Sequence, residues 1–101
     1  MATTTVVRYK VSEGRGDENQ ALVEAVFADL AASTPDGLRY GTIRLADGVT
    51  FIHIAVTEGE TNPLTESAAF AAFTAELPAR CDEPPAPMSG TVIGNYNLYT
   101  D

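Results

Sequence analysis

The chain has no tryptophan, one cysteine and one histidine among its 101 residues. A lone cysteine, Cys81, cannot close an internal disulfide, and one histidine with one cysteine cannot supply the spaced ligands of a zinc site. No metal is therefore expected. Gly14 and Gly16 precede a helix signal, but the further glycines and the lysine of a phosphate-binding loop are missing, so no cofactor is expected either. Basic residues are scarce: six Lys and Arg stand against 14 Asp and Glu, for a net charge of -8. That balance excludes nucleic acid, which needs clustered cations to neutralise phosphates, and an anionic membrane surface. No run approaches the roughly 20 apolar residues of a membrane-spanning helix. The first residues, MATTTVVRYK, pass directly into a strand pattern with no signal-peptide layout. With the single cysteine, this makes the cytoplasm the expected location.

What is present suits one ordinary globular domain over residues 1–101, with a hydrophobic fraction of 45%. Residues 5–11, TVVRYKV, are β-branched and aromatic and predict a strand. Asp17 with Gln20 three residues later reads as a capping box. The helix that follows carries Leu22, Val23, Val26, Phe27 and Leu30 on one apolar stripe. The run Ser33-Thr34-Pro35-Asp36-Gly37 ends it. Residues 38–46 and 50–57 predict two strands joined at Asp47-Gly48, a hairpin signal in which both central residues would take positive φ. A second helix is expected over residues 65–77, with Phe70, Phe73 and Leu77 on its stripe. The proline-rich CDEPPAPMSG reads as an extended connector, and residues 91–99, TVIGNYNLY, as the last strand.

This order, βαββαβ, is the ferredoxin-like split βαβ arrangement. It predicts an α+β fold with a four-stranded antiparallel sheet in order 4-1-3-2 and both helices on one face. The third strand is apolar on both faces: Phe51 and Ala55 point one way, Ile52, Ile54 and Val56 the other. Two helices cover one face only, so the other face calls for a second copy of the chain, packed sheet to sheet.

The segments DGVTFIHIAV, NPLTESAAFAAFTAEL, RCDEPP and GNYNLY resemble a group of small bacterial proteins in the dimeric α+β barrel superfamily, which includes the antibiotic-biosynthesis monooxygenase-like (ABM-like) proteins. The resemblance spans nearly the whole chain and rests on structural motifs. It implies a homodimeric barrel and a monooxygenase-like enzyme that oxidises a small aromatic metabolite in the cleft between the sheets. Enzymes of that superfamily commonly place Trp beside Asn or His, and this chain has no Trp.

Candidate functional residues follow from strand parity. His53 is the one side chain suited to act as a base or ligand near neutral pH. With Ile52, Ile54 and Val56 assigned to the helices, His53 is expected in the inter-sheet cleft as the catalytic candidate. Arg8 and Lys10 from the first strand, Tyr40 and Thr42 from the second, Phe51 beside it and Asn95 from the last strand are expected on the same face as ligand-binding residues. The same histidine also suits a purely structural hydrogen bond in a core. Arg8, Lys10, Arg39 and Arg44 fit either local ion pairs or a positive patch for an anionic or phenolate ligand. Cys81 is expected to be structural, and Arg15-Gly16-Asp17 a loop and helix start. Three functions stay open: an oxygenase-like enzyme, a dimer that holds a small molecule without turning it over, and a dimer with only a packed core.

Overall fold

A computed structural model describes residues 2–59 and 62–96. The elements run β1 (Ala2–Val11), α1 (Gly16–Ser33), β2 (Leu38–Arg44), β3 (Thr50–Glu58), a 3-10 turn (Pro63–Glu66), α2 (Ala68–Ala75), α3 (Leu77–Arg80) and β4 (Cys81–Gly90). The four strands form one antiparallel sheet in order β2-β3-β1-β4, the expected order read from its other edge. The α+β class therefore stands.

The register fixes which side chains share a face. Val7 opposes His53, and Tyr9 opposes Phe51 across β1 and β3. Thr42 opposes His53, and Tyr40 opposes Ala55 across β2 and β3. Tyr9, Val11 and Phe51 from the sheet are buried against Val23 and Val26 of α1, Phe73 of α2 and Leu77 of α3. Each such side chain contributes about 1.5–3 kcal/mol by leaving water. The helices thus lie over the face that carries Phe51, His53 and Ala55. Ile52, Ile54 and Val56 point to the opposite face, which reverses the sequence-based assignment of the two faces. Alternation shows which residues share a face but not which face the helices choose.

The last strand is the second correction. Cys81–Gly90, read as a connector, forms β4, and residues 91–96 have no regular structure. The remainder of the expected strand, residues 97–99, lies outside the described residues. Pro84, Pro85 and Pro87 are compatible with a strand here because β4 is at the sheet edge, with a ladder on one side only. Its pairing with β1 shifts register between Arg8 and Val11, as bulged edges do.

Local signals at three turns also resolve differently. The helix α1 starts at Gly16 with Arg15 at the cap and no side-chain cap bond. Asp17 and Gln20 instead accept from Arg44 Nη1, at 3.0 and 2.6 Å. The β2–β3 hairpin forms, but only Gly48 takes positive φ, at 79°. Asp47 acts through its side chain, accepting from the Val49 and Thr50 amides at 3.0 and 2.9 Å and from the Thr50 hydroxyl. These bonds hold its carboxyl down at a pKa of about 2. The second helix is divided. Asn62 caps the 3-10 turn, and Ser67, with extended backbone, caps α2 by accepting from the Phe70 amide. Pro78 falls in the first turn of α3, where its missing N–H leaves no bond unmade.

Candidate functional site

Three strands and two helices, β1, β2, β3, α1 and α3, build a buried polar cluster between the sheet and its helices. His53 in β3 is buried, with Tyr9 of β1 on one side and Tyr40 and Thr42 of β2 on the other. The Tyr9 hydroxyl lies 2.8 Å from His53 Nε2. The Tyr40 hydroxyl lies 2.6 Å and the Thr42 hydroxyl 3.0 Å from Nδ1. Beyond Tyr9, Asn19 Nδ2 of α1 donates to the Tyr9 hydroxyl at 2.8 Å. Arg80 Nε of α3 donates to Asn19 Oδ1 at 3.2 Å, and its Nη2 to the Phe73 carbonyl at 3.1 Å. No buried side-chain nitrogen or oxygen among the described residues lacks a partner. A satisfied network of this kind stiffens the core it crosses.

Burial sets the electrostatics. It lowers the His53 pKa to about 4, because an imidazolium there would lose its hydration without gaining an anion. His53 is neutral at pH 7. Burial likewise pushes the Tyr40 phenol up to about 12 and raises that of Tyr9. Both phenols keep their protons. The Cys81 thiol is raised by burial too, which argues against a reactive thiolate.

Beside the cluster is a cavity of about 310 Å³ between the sheet and the short helices. Tyr40, His53 and Tyr9 line its floor, and Leu64, Phe70, Phe73 and Leu77 its apolar walls. The exposed Asn62, Thr74 and Pro87 mark its mouth. No lining residue carries a charge. An apolar cavity with a few convergent polar groups is the usual form of a small-molecule site, and this volume is at the small end of the usual range of about 300–1,000 Å³.

The expected site residues divide. His53, Tyr40, Thr42 and Phe51 share the helix-covered face, with Phe51 stacked on Tyr9 at 5.6 Å between ring centroids. Arg8 and Lys10 alternate to the other face, and Arg8 lies 3.6 Å from Glu83. A one-residue error in cross-strand register moves a side chain through the sheet, and the sequence does not carry that register. Asn95 follows β4 and lines a separate pocket of about 360 Å³ with Thr4, Arg39 and Val56, away from His53. Local ion pairs account for Arg8 and for Arg44, which meets Asp17 at 3.0 Å. Asn19, Tyr9 and Arg80 were missed as site residues. The one signal for Asn19 is a short polar residue beside an apolar helical stripe. For Arg80 it is a cation between Leu77 and Cys81.

No protein-family model matches the chain, and neither does any curated protein sequence. Solved structures do. A protein from Bacteroides thetaiotaomicron, named as a candidate antibiotic biosynthesis monooxygenase, superposes with a TM-score of 0.79 at 10% identity, over 99% of this chain and 96% of that one. Rv0793 from Mycobacterium tuberculosis gives 0.72 at 15% identity, over 94% and 98%. A variant of SnoaB, a cofactor-independent oxygenase from Streptomyces nogalater, gives 0.66 at 19% identity, over 95% and 97%.

The chain has the ABM-like fold.

That likeness covers nearly the full length of both partners in each case, so β1 to β4 and the helices over them are the shared unit. At such identities the ABM-like fold is what is shared, and the chemistry of the cavity has to be argued from its own residues. Among the described residues, no helix is long and apolar enough to cross a membrane.

Proposed function

We propose that the cavity beside His53 binds a small, neutral aromatic molecule and that the protein oxygenates it with dioxygen without a bound cofactor. The observation that carries the binding half is the uncharged cavity, walled by Phe70 and Phe73 and floored by Tyr40 and His53. A charged ligand would be left without a counter-ion there. The volume suits one or two rings. The oxygenation half is supported by the shared fold with a cofactor-independent oxygenase. In such a reaction the substrate first loses a proton to water at the cavity mouth, which leaves negative charge on its ring oxygen, and the resulting anion supplies the electrons that reduce dioxygen. A hydroxyl donor fixed beside that oxygen stabilises the charge as it develops. Tyr40 is the candidate donor, and His53 the group that positions it, at 2.6 Å.

A second reading is retention without turnover. It is favoured by the two ring nitrogens of His53, both of which are hydrogen-bonded within the protein and leave no lone pair for a substrate proton. Oxygen uptake with a panel of aromatic ketones and phenols separates the two. Oxygenation predicts uptake that falls at least tenfold in Tyr40→Phe. Ligand retention on native mass spectrometry with no uptake supports the second reading and overturns the first.

We also propose that a second copy covers the open sheet face. Ile43 and Met88 there are 50% and 72% exposed, beside Ile52, Ile54 and Val56.

A further inference from the structure

Arg80 is 2% exposed and Asn19 fully buried, and neither touches the cavity. They nevertheless determine what the cavity presents. A guanidinium donates and cannot accept, so the Asn19 amide must turn its oxygen to Arg80 and its NH2 to Tyr9. The Tyr9 oxygen therefore accepts. Its own proton must then go to His53 Nε2, the one other partner it has among the described residues. If Nε2 carried a proton instead, the Tyr9 hydrogen would be buried with no acceptor, at a cost of about 1–3 kcal/mol. His53 is therefore the Nδ1–H tautomer. Nδ1–H donates to the Tyr40 oxygen at 2.6 Å. The Thr42 oxygen lies 3.0 Å from the same Nδ1 and shares that proton. With its oxygen accepting from Nδ1–H, the Tyr40 hydroxyl keeps its own proton for an acceptor in the cavity it lines.

We infer that Arg80 and Asn19 are positioning residues that select, through Tyr9 and His53, for ligands accepting a hydrogen bond from Tyr40: aromatic carbonyl compounds rather than aromatic donors.

This selection rests on the proposed ligand cavity; the direction of the network does not. The two part experimentally. Asn19→Asp replaces the amide with a carboxylate, which accepts from both Arg80 and Tyr9. Tyr9 then donates away from His53, Nε2 gains the proton, Nδ1 accepts from Tyr40, and the Tyr40 oxygen faces the cavity as an acceptor. Arg80→Lys keeps a donor-only cation and serves as the conservative control.

Two readouts apply. Imidazole 15N resonances, taken without ligand at pH 7, should show Nδ1 protonated in the wild type and in Arg80→Lys, and Nε2 protonated in Asn19→Asp. Calorimetry with acetophenone, which only accepts, and indole, which donates, should show acetophenone preferred by the wild type. That preference should fall about tenfold or more in Asn19→Asp. Should Asn19→Asp not fold, the wild-type tautomer and a selective loss of acetophenone binding in Tyr40→Phe decide the matter. Nε2 protonated in the wild type, or an unchanged tautomer in folded Asn19→Asp, overturns the inference. A tautomer that switches while neither probe binds overturns the cavity reading, and with it the selection.

Discussion

Tyr9 and His53 lie on adjacent strands with their polar ends 2.8 Å apart and their rings stacked at 5.3 Å between centroids. A buried phenol thus occupies one nitrogen of the chain's single histidine. Replacing it removes the centre of the network. Tyr9→Phe should leave Asn19 Nδ2 and His53 Nε2 without partners, and should destabilise the fold by about 1–3 kcal/mol. Urea unfolding of the two proteins measures it.

His53 should make stability depend on pH. Its pKa is about 4 in the folded chain and ordinarily 6.5. Between those values the unfolded state binds more protons, so stability rises with pH across that window and is lost as pH falls through it. The full effect at pH 4 is on the order of 3 kcal/mol. Urea midpoints at pH 6.5 and 4.5 should differ clearly in the wild type, and the His53 part of that slope should vanish in His53→Gln.

Gly16 is needed for room. A Cβ there would run into the Gly48 carbonyl and the Arg44 guanidinium, where the start of α1 meets the β2–β3 hairpin. The Gly48 oxygen is backbone and itself accepts from Arg44 Nε at 2.9 Å, so it cannot easily give way. Gly16→Ala should cost about 1–3 kcal/mol, visible as a lower thermal midpoint with an unchanged circular dichroism spectrum at 25 °C.

The open face should determine the oligomeric state. Ile54→Lys places a charge beside Ile52 and Val56 on the side away from the helices. The wild type should sediment as a dimer at micromolar concentration and Ile54→Lys as a folded monomer. A monomeric wild type would remove the second copy.

Much of the architecture was legible because it depends on local pattern. The α1 stripe, the Asp47-Gly48 hairpin and the two-sided apolar β3 are carried by neighbouring residues. The order of the sheet follows from the handedness of the connections. Long-range facts were not legible. The prolines of residues 84–87 mask β4, because whether a strand is at an edge is a property of the whole sheet. The two faces of β3 were exchanged, since alternation is blind to which face the helices cover. Arg8 and Lys10 were placed with His53 for a different reason, a cross-strand register that the sequence does not carry. The cluster of Arg80, Asn19 and Tyr9 spans |i−j| of 61 and 10, and no spacing rule announces such a network. His53, Tyr40, Thr42 and Phe51 were found together because β2 and β3 form a hairpin whose short loop limits the possible register.

The account turns on which side of the sheet holds the ligand. Chemical-shift mapping of the isotopically labelled protein during an acetophenone titration tests it most directly. The cavity reading predicts saturable shifts at Val7, His53, Phe73 and Leu77 with Ile52, Ile54 and Val56 unmoved. Shifts confined to those three residues, or none at all, would contradict it.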